Sequence, residues 1–206
     1  MSQASLLTDL LASFAFADGI IASAHVMDPN GGFVNAADVR AFMTEAAVVK
    51  MHVAWEHYLE QSFLEYLMGS PSATGAVIKC FLVPPSIEHA RRVLIGTQKY
   101  VDWANPDIVT RLAELYFENG GPYKTAIAAV HGDLLDLRAV RNAAAHLSTT
   151  TSERLDKVAL RRLNRAVIGI TVYDLVTAID PAGAGQTLFA TYGDLLAAAA
   201  NVIAQG

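Results

Sequence analysis

Between Asn35 and the Gly69-Ser70-Pro71 triplet, apolar residues recur at roughly helical spacing. Phe42, Ala46, Val49, Val53, Ala54, Leu59, Phe63 and Tyr66–Leu67 carry the repeat. That period marks a helix, because side chains of a strand alternate from one face to the other. Asn35 is a good N-cap, its side-chain oxygen able to accept a free N–H of the first turn. The spacing predicts one long helix from Ala36 to about Met68.

The remainder follows the same pattern. Ser5 to about Phe16, continuing toward Ala24, reads as a first helix, closed by the turn cluster Asp28-Pro29-Asn30-Gly31-Gly32. Val77 to Val83 is a short apolar run, equally compatible with helix or strand. Pro84-Pro85 ends it, and Ser86 is placed to cap a helix through Ile95. Asn105-Pro106-Asp107 combines an N-cap, a proline at the first position and an early acid, and starts a helix to about Glu118. After Gly120-Gly121, Pro122 opens a helical stretch that continues as Leu134 to Leu147. Ser152 is expected to cap a long helix to about Ala178, broken by Asp180-Pro181-Ala182-Gly183, and Gln186 to Ala204 forms an Ala-rich last helix. The expected class is all-α: an up-and-down helical bundle with additional N- and C-terminal helices, in one domain over residues 1–206.

With 206 residues, 53% of them apolar, the chain can bury a core without disulfides or metal. Cys80 stands alone and has no intramolecular partner, which fits a reducing compartment. Met1 to Asp9 lacks a basic leader, and no run approaches the ~20 apolar residues of a transmembrane segment. The expectation is a cytoplasmic protein that does not enter a membrane. A net charge of −5 argues against broad, nonspecific binding of nucleic acid. The charge is uneven, however. Arg138, Arg141, Arg154, Lys157, Arg161, Arg162 and Arg165 fall in one segment, opposed within it only by Glu153 and Asp156. This is either a solvated helix face or a local site for a polyanion.

Inside that segment, Arg138, Asn142 and His146 are spaced i, i+4, i+8 and form one line on a helix. Arg141 flanks them, roughly 140° around the axis from His146, so Asn142 is better placed than Arg141 to orient the imidazole. The intervening Ala143-Ala144-Ala145 lets another helix, or a second copy of this one, approach closely. A structural alternative is that the arginines pair with Asp133 or Asp136.

The run Leu134-Leu135-Asp136-Leu137-Arg138-Ala139-Val140-Arg141-Asn142-Ala143-Ala144-Ala145-His146 resembles the signature of HEPN domains: an arginine, a polar residue, then a histidine on a late bundle helix. Val53-Ala54-Trp55-Glu56-His57-Tyr58-Leu59-Glu60 resembles the Trp-Glu helix of the RiboL-PSP-like branch of that family. The resemblance covers about residues 35–178. It implies a metal-independent endoribonuclease that acts as a homodimer, with Arg141, Asn142 and His146 catalytic. In that chemistry the ribose 2′-hydroxyl attacks the adjacent phosphorus. An imidazole suits proton transfer near neutral pH, and a guanidinium fork matches phosphate oxygens. One histidine per chain supplies one proton-transfer group, so a twofold pair supplies both. Arg138, Arg154, Lys157 and Arg161 are the expected substrate contacts. RNA, a second copy and an antitoxin protein are the implied partners, and a toxin or defence effector the implied role. The alternative is a catalytically inactive HEPN module binding RNA or a protein partner. No cofactor or metal is expected: His52 and Glu56 share a helix face, but no second Glu-x-x-His set completes a site.

Overall fold

A computed structural model describes residues 1–146, 148–183 and 185–206. Among these the chain is an all-α helical bundle: nine α-helices, one 3-10 turn and no strand. The helices are α1 (Gln3–Ala24), α2 (Ala37–Leu67), α3 (Ile87–Ile95), α4 (Pro106–Tyr116), α5 (Gly121–Ala129), α6 (His131–Ala145), α7 (Thr149–Leu163), α8 (Val172–Thr177) and α9 (Leu188–Gln205). By length and composition α1 is apolar enough to span a bilayer. One of its faces, through Leu6, Leu10, Phe14, Ala17 and Ala24, is buried in the protein.

The caps explain several boundaries. Ser86 Oγ accepts the His89 N–H at the start of α3, and Asn105 Oδ1 accepts the Asp107 N–H at the start of α4. Three elements differ from the sequence expectation. The segment 77–83 is neither helix nor strand. It is irregular apart from an isolated antiparallel bridge between Cys80 and Phe117, with Phe81 N donating to Tyr116 O and Glu118 N to Lys79 O. The stretch after Pro122 is two helices, interrupted at Val130 (φ −120°, ψ 17°). The helix expected from Ser152 to Ala178 starts earlier and ends sooner. Ser148 is its cap, in a reciprocal box with Thr151. It stops where Asn164 turns left-handed (φ 52°), and α8 follows as a separate helix. The expected end of the motif helix, Leu147, lies outside the described residues. Ser148→Ala should cost about 1 kcal/mol, read as a lower urea midpoint. An unchanged midpoint would show that the box adds nothing.

The chain packs as two compact units. The first comprises Met1–Leu11, Ala54–Leu135 and Leu195–Gly206. Phe63, fully buried, is its aromatic centre, with ring centroids of Phe117, Tyr123 and Trp103 at 4.7, 5.0 and 5.4 Å. The phenols of Tyr58 and Tyr66 donate to the Ala200 and Ile203 carbonyls of α9 at 2.7 and 2.6 Å, and Tyr123 meets Ser62 at 2.7 Å. Burial pushes all three phenol pKa values upward, so these groups remain neutral partners.

The second unit comprises Ala12–Val53 and Asp136–Asp194. The part of α2 in this unit buries Thr44, Ala47, Val48, Met51 and His52. Leu137, Val140 and Ala143 of α6 and Leu155, Val158 and Ala159 of α7 add to its core. The apolar repeat that marks α2 in the sequence is turned the other way here. Phe42 is 70% and Val53 47% exposed, while Ala46 and Val49 are half-buried.

Candidate functional site

Helix α6 carries the polar stripe, and the α6–α7 pairing sets its position. Asp136, almost fully buried, receives two guanidinium groups from α7: Arg161 through Nη2 to Oδ1, and Arg162 through Nε to Oδ2 at 2.9 Å. The Arg162 guanidinium also lies 5.2 Å above the Tyr192 ring. Asp136 is thus an acid the sequence offers as a pairing partner, and its cations come from the next helix. At the far end of the same hairpin the Thr151 hydroxyl donates to the His146 carbonyl oxygen at 2.8 Å, and Ser148 caps α7. The two fastenings hold the ends of the hairpin that presents the motif.

The motif residues differ in environment. Arg141 is half-buried, and its Nη1 donates to Asn142 Oδ1 at 3.0 Å. Its Nε is enclosed and has no hydrogen-bond partner among the described residues. His146 lies just past the last residue of α6, its N–H donating to the Asn142 carbonyl oxygen at 2.9 Å. Its ring is exposed and has no hydrogen-bond or ion-pair partner among the described residues. Asn142 therefore orients the arginine, where spacing alone favoured the imidazole. The physical reason is position. Past the helix end the imidazole is free to swing out, whereas the adjacent guanidinium reaches the amide oxygen directly.

Arg138 is half-buried, and Arg154 and Lys157 are exposed along α7. Arg161 is 57% exposed at its side chain and keeps an outward edge while one nitrogen engages Asp136. Asp156 is committed elsewhere: its Oδ1 accepts the N–H groups of Gly169 and Ile170 at 2.9 and 3.2 Å, pinning the loop after α7. It leaves Arg154 and Lys157 without an acidic partner among the described residues. Arg162 belongs to the basic segment that the sequence offers as a candidate polyanion site, and the structure turns it to Asp136 instead. Among the described residues no group of three or more His, Cys, Asp or Glu side chains is placed to hold a metal ion.

No protein-family model, curated protein or solved structure matches this chain. What its residues do must be read from their own chemistry. A guanidinium held by Asn142, an unengaged imidazole one helical turn further on, and exposed cations along the neighbouring helix together make a surface suited to a phosphodiester. The arginine provides a fixed charge, the imidazole a movable proton.

Proposed function

We propose that this chain is a HEPN-like, metal-independent endoribonuclease, working in the cytoplasm as a toxin or defence effector restrained by an antitoxin protein. The observation that carries the reading is Arg141, oriented by Asn142, on the same helix end as the exposed and unengaged imidazole of His146. In the proposed reaction the ribose 2′-oxygen bonds to phosphorus as its proton passes to one His146. The bond from phosphorus to the 5′-oxygen breaks, and that oxygen takes a proton from a second His146 in the imidazolium form. The products are a 2′,3′-cyclic phosphate and a 5′-hydroxyl. Arg141 stabilises the charge that builds on the phosphoryl oxygens. Arg138, Arg154, Lys157 and Arg161 contact the RNA backbone. The site is composite, with two copies contributing.

A second reading is a non-catalytic HEPN module that binds RNA or a protein partner. It is favoured by the same imidazole, because nothing among the described residues fixes its tautomer. Cleavage of RNA in the presence of EDTA separates the two. Wild type should cleave and leave cyclic phosphate ends, and His146→Ala should lose about 10²- to 10⁴-fold in rate. Absence of wild-type cleavage, or an unchanged rate in the variant, sinks the enzyme reading. Activity lost only on chelation points to a metal mechanism.

A further inference from the structure

The solvent face of α2 carries Val39, Phe42, Ala46, Val49 and Val53, spaced 3-4-3-4. This is the 3.5-residue repeat of a helix that meets another helix along its length. Phe42, Val39 and Val53 are 70%, 42% and 47% exposed, and an open groove runs between this face and Ala144 of the motif helix. Single exposed apolar residues are ordinary on a protein surface, whereas a continuous heptad stripe marks a contact surface.

Two charges border the stripe, Glu45 on one side and Lys50 on the other, both lining the same groove. Neither has an ion-pair partner among the described residues. Lys50 Nζ lies only over the Phe16 ring, 5.9 Å from its centroid. Burial raises the Glu45 pKa, and no cation acts to lower it. In heptad terms, with Val39, Ala46 and Val53 at a and Phe42 and Val49 at d, Glu45 falls at g and Lys50 at the following e. In a parallel helix pair each g residue meets the e residue five positions on in the other helix. In an antiparallel pair g meets g and e meets e, which would oppose glutamate to glutamate and lysine to lysine.

We infer that this face of α2 is a homodimer interface, in which the α2 helices of two copies pack in parallel about a twofold axis, with Glu45 of each copy paired to Lys50 of the other. The small side chain of Ala46 at the central a position allows close approach, and Phe42 and Val49 fill the layers on either side. The groove borders Ala144, so the motif helix of each copy flanks the interface. The inference deepens the ribonuclease reading by naming the surface that joins its two copies. The interface is built on α2 alone, and molecular mass instead of cleavage reports it.

Sedimentation velocity of the full chain across micromolar concentrations should give twice the 22.0 kDa monomer mass. Glu45→Lys alone and Lys50→Glu alone should each weaken the dimer about 10-fold or more, since two attractive pairs become repulsive. The double swap should restore association to near wild type. Both positions border the surface, and circular dichroism checks that helix content is unchanged. In a Cys80→Ser background, Ala46→Cys should oxidise to a covalent dimer, because equivalent a positions face each other only in the parallel pair. A wild-type monomer at every concentration overturns the inference. So do single swaps that dimerise like wild type, or a double swap that stays dissociated. Dimers that do not cleave RNA would leave this interface standing and remove the ribonuclease reading. A monomer that cleaves RNA would overturn this interface and the two-copy site together, and leave only the cleavage itself.

Discussion

Asp136→Ala is expected to destabilise the protein by about 3 kcal/mol, toward the low end of the cost of breaking a buried ion pair. The carboxylate is 7% exposed and answers two guanidinium groups at once. Its loss leaves Arg161 and Arg162 facing one another with nothing between them. Arg162, 20% exposed, bears most of the penalty, while Arg161, 57% exposed, turns to water and recovers part of its hydration. Asp136→Asn keeps the shape and one acceptor oxygen, and should cost about half as much. Urea unfolding followed by circular dichroism reads both. A change below about 1 kcal/mol for the alanine variant would show that the carboxylate does not fasten α6 to α7.

Arg141→Ala is expected to reduce RNA cleavage about 10²- to 10³-fold in single-turnover rate, the usual cost of one group that stabilises developing charge. Arg141→Lys should recover little of it. Lysine keeps the charge but offers a point donor without the flat fork that matches phosphate oxygens, and its ammonium does not reproduce the single Nη1 bond to Asn142 Oδ1. Asn142→Ala should fall between these and wild type, about 10-fold down, because the guanidinium keeps its charge and loses its orientation. Wild-type rates in the lysine variant would show that charge alone matters and that the pairing with Asn142 has no part in the reaction. The variant keeps the cation, so a change in overall charge does not complicate the comparison.

The helical class is legible in the chain because 3.6-residue periodicity and punctuation agree over most of its length. Ser86 and Asn105 are found where their neighbours leave a single candidate cap. Ser148 was missed in favour of Ser152 because the run Ser148-Thr149-Thr150-Thr151-Ser152 offers five consecutive side chains able to cap. Several of them have a third successor able to bond back, and only the structure shows that Ser148 and Thr151 form the box. The segment 77–83 has an apolar pattern but no ladder to join, so composition alone left its form open. In α2 the period was correct but its direction was not given: periodicity tells which residues share a face, and only packing tells which face turns inward. The candidate site shows the same division. The stripe on α6 is legible from spacing, whereas the Asp136 clamp depends on a helix pairing that local sequence does not encode.

The distribution of indole side chains follows from the two-unit packing. Trp55 and Trp103 are the chain's two tryptophans; both are buried, and both belong to the first unit. The motif, the Ser148 cap and the Asp136 clamp belong to the second, whose rings are those of tyrosine and phenylalanine such as Tyr173 and Phe189. Tryptophan emission is therefore a gauge of one unit alone, while the amide absorption of the helices counts both. A melt recorded through the two signals compares the halves of the molecule without any label. Coincident curves mean that the unit with the indoles and the unit with the motif melt in a single step, and separated curves assign each step to its half.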